Sequence, residues 1–223
     1  MRVLVMGGTE FISLHLLQAL QRRGHEVTVF NRGRHPDRLP PGVAAITGDR
    51  KDHAALRARL GGQRWDGVFD VTYAPTLPED VAALVDALPG SPHVVFVSTC
   101  RVYDHGLPIP YSEATPRSFY WGDYARHKIG GEDVLLERHR TRGLPVTIVR
   151  PTHVMGPLNT RNNETCFMDR ISRGRPVLVP GPGLSKLLSR AASKCRSVTG
   201  RPITSAISST KPTWLTTSSP MTL

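Results

Sequence analysis

A tyrosine and a lysine one helical turn apart are the residues of this 223-residue chain best suited to moving a proton: Tyr124 and Lys128, within Tyr124-Ala125-Arg126-His127-Lys128. A separation of four places both side chains on one face of a helix. A phenol titrates near 10, so acid or base work near neutrality requires lowering it by about 3 units, equivalent to about 4 kcal/mol of differential stabilisation. A neighbouring ammonium favours the phenolate, and Lys128 supplies one. The plainer alternative is a surface pair, common at this spacing. Upstream, the apolar run Val94 to Val97 opens into Ser98-Thr99-Cys100. Parallel α/β sheets carry their chemistry at strand carboxyl ends, which makes Ser98 and Thr99 candidate hydroxyls. For either one the alternative is a helix cap or a loop hydrogen bond.

The elements that must position these groups alternate in type. Residues 2 to 6 form an apolar run, and Phe11, Ile12, Leu14, Leu16, Leu17 and Leu20 then recur at helical spacing up to Arg22-Arg23-Gly24. Further β-rich runs are expected at Val27 to Phe30, Val43 to Ile46, Gly67 to Val71, Val94 to Val97 and Val146 to Val149. Helical patterns lie near 52 to 60 and 78 to 88, and a longer helix is expected over about 121 to 140. Strands alternating with helices imply an α/β chain with a parallel, doubly wound, Rossmann-type sheet.

The first strand enters Gly7-Gly8-Thr9-Glu10-Phe11-Ile12-Ser13 and then the first helix. A glycine turn in this position offers backbone N–H groups and a helix N-terminus to a pyrophosphate; the alternative is a tight strand-helix connection and nothing more. At the end of the second strand an acid suits the ribose of NAD, whereas an arginine suits the 2′-phosphate of NADP. Asn31, Arg32 and Arg34 stand there and favour NADP, the alternative being a basic solvated loop.

With turn, hydroxyl loop and tyrosine-lysine pair in this order, residues 1 to about 183 resemble the extended short-chain dehydrogenase/reductase family, of the NAD-dependent epimerase/dehydratase type. The family's usual turn is G-x-x-G-x-x-G; Gly7 matches its first glycine, while Glu10 and Ser13 occupy the other two positions. The resemblance implies that Gly7, Thr9, Phe11, Ile12, Asn31, Arg32, Asp49 and Lys128 hold the cofactor, NAD or NADP, with Asp49 of Gly48-Asp49-Arg50 at the adenine amino group. Gly-Asp is also an ordinary turn. It further implies that Tyr124 is the acid/base, that Lys128 also bonds the nicotinamide ribose, and that Thr99 bonds the reacting substrate oxygen, with Ser98 beside it. Val149-Arg150-Pro151-Thr152-His153-Val154-Met155-Gly156-Pro157 resembles the family's R-P-x-N-V-Y-G-P segment, where substrate is contacted. His153 takes the asparagine position; a loop histidine with structural contacts is the alternative. Arg161, Asn162, Asn163 and Glu164 follow as a pocket edge or as a solvated loop and helix cap.

The implied reaction is Tyr/Lys-assisted proton and hydride transfer on a hydroxylated small-molecule substrate of nucleotide-sugar type, as epimerisation, dehydration, or oxidation and reduction. Homodimerisation is left open. Two other readings stand beside the enzyme: a noncatalytic dinucleotide- or RNA-binding protein of the same fold, as in a chloroplast stem-loop RNA-binding group, and an inactive truncated fragment, since the family usually continues through a longer C-terminal substrate region.

Composition narrows the remaining classes. The net charge is +11, but residues 184–223 hold six Lys or Arg, sixteen Ser or Thr and no acid, so more than half of the excess lies in that segment. Nucleic acid is accordingly not the expected partner. Residues 1–183 are read as the NAD(P)-binding domain with the start of a substrate region, and 184–223 as a tail, either disordered or the product of a shifted reading frame. Cys100, Cys166 and Cys195 have neither disulfide nor zinc-ligand spacing, so reduced thiols and no metal are expected. No apolar run approaches the roughly 20 residues of a membrane span, and the N-terminal run reads as a strand and not a secretory signal; the expected location is the cytoplasm.

Overall fold

The computed structural model describes residues 1–72, 76–104, 106–108, 110–159 and 163–177. The tail at 184–223, Gly183, Arg161 and Asn162 lie outside the described residues, as do the side chains of Asn163 and Glu164. Residues Met1–Pro176 form one compact unit.

Six strands carry the unit: β1 (Arg2–Met6), β2 (Glu26–Asn31), β3 (Ala44–Thr47), β4 (Gly67–Asp70), β5 (His93–Val97) and β6 (Val146–Val149). Five helices accompany them: α1 (Phe11–Arg22), α2 (His53–Leu60), α3 (Pro78–Ala87), α4 (Gly122–Arg142) and α5 (Asn163–Ser172). All strand pairs are parallel, in the order β3-β2-β1-β4-β5-β6. This is the doubly wound Rossmann order, which reverses direction between β1 and β4 and opens a crevice there at the strand carboxyl ends. The expected strands and helices all occur, with ends displaced by no more than two residues.

The two-residue period of β1 builds both halves of the core. Val3 and Val5 point to one face, where they meet Leu17, Leu20, Val27 and Val29 beneath α1. Leu4 and Met6 point to the other and join Phe30, Leu56, Val68, Val81, Phe96 and Leu135 under α2, α3 and α4. Burial on both faces explains why β1 reads as a continuous apolar run and not an alternating one. Truncating a side chain buried as completely as Leu17 costs about 2–5 kcal/mol.

The register sets one row of residues along the carboxyl edge: Phe30 pairs with Met6, Met6 with Asp70, Asp70 with Phe96, and Phe96 with Ile148. Asp70 is the charged member of an otherwise apolar row. Above this row α4 crosses closely: a Cβ on Gly130 would lie 2.5 Å from Cγ of Pro78, at the start of α3. Gly143, at φ +67, ends the helix in the left-handed conformation.

Candidate functional site

A cavity of about 410 Å³ opens at the crevice. Gly7, Gly8, Thr9 and Glu10 form its floor, and Asn31, Arg32 and Arg34 its side beyond β2. Asp49, Arg50 and Thr72 close it from the β3 and β4 loops. Gly8 has φ +106, and a Cβ there would lie 2.7 Å from Cγ1 of Val29, so the strand-to-helix turn passes too near β2 for any side chain. The first-turn amides of Phe11 and Ile12 have no intrahelical acceptor, because the returning bonds begin with Ser13 and Leu14 to the Glu10 carbonyl. Helix N-terminal amides above a glycine turn suit an anion, and the donor set fits the pyrophosphate of a dinucleotide. Neither Phe11 nor Ile12 is among the residues that line the cavity.

Ser13 has a local task at the third glycine position. Its buried hydroxyl accepts from the Glu10 amide at 3.3 Å and donates to the Glu10 carbonyl at 2.6 Å, closing the start of α1. Glu10 itself is exposed and borders the cavity. Asn31 ties the turn to β2: its amide donates to the Gly7 carbonyl at 3.1 Å and its oxygen accepts from the Gly33 amide at 2.8 Å. Asp49 accepts from the Lys51 amide at 3.0 Å, closing the turn that places it in the cavity wall.

Across the inner wall sits Lys128. It is 5% exposed, and its ammonium donates to the carbonyls of Val97 at 2.8 Å and Thr72 at 3.3 Å, 4.8 Å from the centre of the Phe96 ring. Burial pushes its pKa below the ordinary lysine range, against the opposing pull of Asp70 and Glu132. Asp70 is 1% exposed and held by Arg50 through two parallel bonds of 3.0 and 2.9 Å. Burial alone would raise its pKa, but the charge and bonds of Arg50, with Lys128 and Thr72, outweigh it and hold the carboxyl below the usual range. The Thr72 hydroxyl donates to Asp70 and accepts from Arg50 at 2.5 Å.

A second buried carboxylate lies one turn further along α4. Glu132 is fully buried and accepts from Ser98 at 2.5 Å, from Arg150 at 2.9 and 2.6 Å and from Arg117 at 3.1 Å. Arg150 also donates to the Tyr103 hydroxyl at 2.7 Å, and its bond to Glu132 drives its pKa further up. The network clamps the end of β5, the middle of α4 and the end of β6. The Ser98 amide also donates to the Val149 carbonyl at 2.8 Å and the Cys100 amide to Pro151 at 2.9 Å, which carries the pairing of β5 with β6 past the strands.

The two hydroxyls therefore differ in position. Ser98 is committed to Glu132, whereas Thr99, 7% exposed, accepts from the Arg101 amide at 3.2 Å and starts the 3-10 turn Cys100–Val102, against which α4 packs. Tyr124 is half-buried in the first turn of α4, one turn before Lys128. His153 is exposed in the loop after β6. That loop docks on α1, where the ring nitrogen of His15 donates to the Pro157 carbonyl at 2.9 Å. Of the residues singled out from the sequence, Gly7, Thr9, Asn31, Arg32, Arg34 and Asp49 line the cavity; Thr99, Tyr124 and Lys128 do not, and Lys128 meets the lining through its bond to the Thr72 carbonyl. Asp70, Glu132 and Arg117 were not anticipated. Among the described residues no cluster of His, Cys, Asp and Glu could hold a metal ion, and no helix is long and apolar enough to cross a membrane.

Known proteins share this fold. Residues 3–187 match the NAD dependent epimerase/dehydratase family. The chain is 31% identical to the chloroplast stem-loop binding protein of 41 kDa b of Arabidopsis thaliana, over 82% of this chain and 50% of that protein. It is 39% identical to a 2-alkyl-3-oxoalkanoate reductase of Stenotrophomonas maltophilia, over 88% of this chain and 56% of that one. Among solved structures, the UDP-glucose 4-epimerase of Thermus thermophilus in complex with NAD superposes with a TM-score of 0.66 at 24% identity, over 79% of this chain and 64% of that one. The chain thus spans about half the length of the two curated relatives.

Proposed function

The chain belongs to the NAD dependent epimerase/dehydratase family, and from that premise we propose that it forms the cofactor-binding and proton-transfer half of an oxidoreductase or isomerase acting on a hydroxylated, nucleotide-sugar-like substrate. The observation that supports this reading is the cavity at the glycine turn together with the buried Lys128, whose ammonium bonds the carbonyl of Thr72 in the cavity lining. The backbone of Gly7, Thr9, Phe11 and Ile12 holds the pyrophosphate, Asp49 the adenine, and Asn31, Arg32 and Arg34 the adenosine ribose, with NADP preferred over NAD. When bound, the nicotinamide accepts or returns the hydride.

The protein's own groups handle the proton. Tyr124, as phenolate, takes the hydroxyl proton of the substrate while Thr99 donates a hydrogen bond to the reacting oxygen. Lys128 favours the phenolate by its charge and also bonds the nicotinamide ribose. Ser98 reaches the substrate side only through its place beside Thr99, because its own hydroxyl is given to Glu132. His153, exposed in the loop after β6, contacts the polar part of the substrate. The proposed location is the cytoplasm. The test is Tyr124→Phe in the folded chain: removing the acid/base lowers turnover by about 10²–10⁴-fold and leaves dinucleotide affinity nearly unchanged. Unchanged turnover removes Tyr124 from the mechanism.

A second reading is favoured by one observation, the 31% identity to a protein named for stem-loop binding. It assigns the chain an RNA hairpin as ligand. A gel-shift titration at two salt concentrations decides it, since phosphate contacts weaken steeply with salt.

A further inference from the structure

Lys128 is a buried cation and needs a counter-charge, and among the described residues the charged groups facing it are few. Asp70 faces it from β4, Arg50 from the β3–α2 loop and Glu132 from its own helix, with Tyr124 one turn earlier. Glu132 already serves two guanidiniums, Arg117 and Arg150, through three bonds. Asp70 remains, in the sheet row directly beside Phe96, whose ring lies under the ammonium. Thr72 joins the pair physically: its carbonyl accepts from Lys128, and its hydroxyl donates to Asp70.

We propose that Asp70 is the counter-ion that keeps Lys128 charged, and that Arg50 regulates the strength of that pairing by competing for the same carboxylate. Asp70 is then a positioning residue, acting on proton transfer only through Lys128. Arg50 takes both carboxylate oxygens. The Arg50–Asp70 pair is therefore nearly neutral, and Lys128 feels an anion partly cancelled by a cation. Removing either partner acts on Lys128 in opposite directions: loss of Asp70 leaves two buried cations facing each other, while loss of Arg50 frees the whole carboxylate for Lys128. Arg50 and Thr72 also line the cavity, so the seat of Lys128 shares a wall with the dinucleotide site.

The link to catalysis rests on the proposed function, but the electrostatic claim can be read without turnover. The Lys128 amine is followed by its 13Cε shift in the full chain labelled at lysine, assigned by the signal lost in Lys128→Met. In Asp70→Asn the titration midpoint falls by about one unit or more, a tenfold weaker hold on the proton; in Arg50→Gln it rises. Midpoints that stay in place, or that move with the same sign, overturn the proposal. Thermal melts report whether each variant folds, and either variant that folds decides by the sign of its own shift. Where turnover is found, Asp70→Asn also moves the ascending limb of the kcat/KM profile to higher pH, because an uncharged Lys128 no longer favours the phenolate. Opposed NMR shifts with no turnover in any form would sink the enzyme reading and leave the counter-ion standing, whereas turnover with unmoved midpoints does the reverse.

Discussion

Glu132→Gln separates a buried ionic clamp from mere packing, because the two side chains are nearly the same size and only charge and donor pattern change. One carboxylate oxygen accepts from Ser98 at 2.5 Å and from Arg150 Nε at 2.9 Å; the other accepts from Arg117 Nη1 at 3.1 Å and Arg150 Nη2 at 2.6 Å. Every partner is a donor. A glutamine NH2 turned toward Arg117 and Arg150 Nη2 loses both of those bonds; turned the other way it loses the bond from Arg150 Nε, while the Ser98 hydroxyl can rotate to accept, and in either case the arginine bonds that remain go to a neutral acceptor. Bonds to a charged group contribute about 1.5–3 kcal/mol each, and breaking a buried pair from one side costs about 3–5 kcal/mol in total. The arginine side chains keep 27% and 16% of their exposure, so water compensates part of the loss and the expected value is the lower end, about 3 kcal/mol. Urea denaturation at pH 7, followed by both fluorescence and circular dichroism, measures it as a shift in midpoint at constant slope. Adding Arg150→Met to the variant should recover part of the loss, because one unpaired cation leaves with it. A single-variant loss below about 1 kcal/mol would refute the clamp, since that is what a surface pair contributes.

Three further outcomes are expected from the same structure. Gly8→Ala forces a Cβ to 2.7 Å from Val29 at φ +106, and the added strain and overpacking should cost about 2–4 kcal/mol in denaturation, with dinucleotide binding lost or weakened. Titration with the two dinucleotides should give NADP about tenfold tighter than NAD through the charged bonds of Arg32 and Arg34 to the 2′-phosphate; Arg32→Ala with Arg34→Ala should equalise them, and equal affinities in the unaltered chain end the NADP assignment. Because the folded Asp70 carboxyl titrates below its ordinary value, its contribution is complete above the unfolded value of about 3.9 and is lost as pH falls through the folded one. Asp70→Asn should therefore flatten the acid arm of the stability curve while lowering stability at pH 7, and a parallel acid arm in the two proteins would contradict this.

How much of this was legible in the sequence depended on whether a feature is local. Strands such as Arg2–Met6 and Val146–Val149 are apolar runs bounded by turn residues, and hydrophobic pattern alone places them. The glycine turn was legible for the same reason, although the weight was placed on Gly7, Glu10 and Ser13 when the residue that tolerates no side chain is Gly8. That requirement comes from β2 crossing over the turn, a contact 21 positions away in sequence. Ser13 shows the converse: the departure from glycine was visible, but its capping bonds to Glu10 exist only once the helix has formed.

The buried charges around Lys128 were the least legible part of the site. Asp70 offered one signal, an acid closing an apolar strand that both faces of a parallel sheet would cover. Glu132 offered another, since it extends the row of Tyr124 and Lys128 by one more turn. Neither signal names a partner, because Arg50, Arg117 and Arg150 approach from other elements at separations of 15 to 20 residues. A buried lysine set between two anions already shared with arginines has a charge state that depends on all of them at once. In the proposed mechanism the tyrosine-lysine spacing marks where a proton moves, and the proposed counter-ion pair of Asp70 and Arg50, which no local motif contains, sets the pH at which it moves.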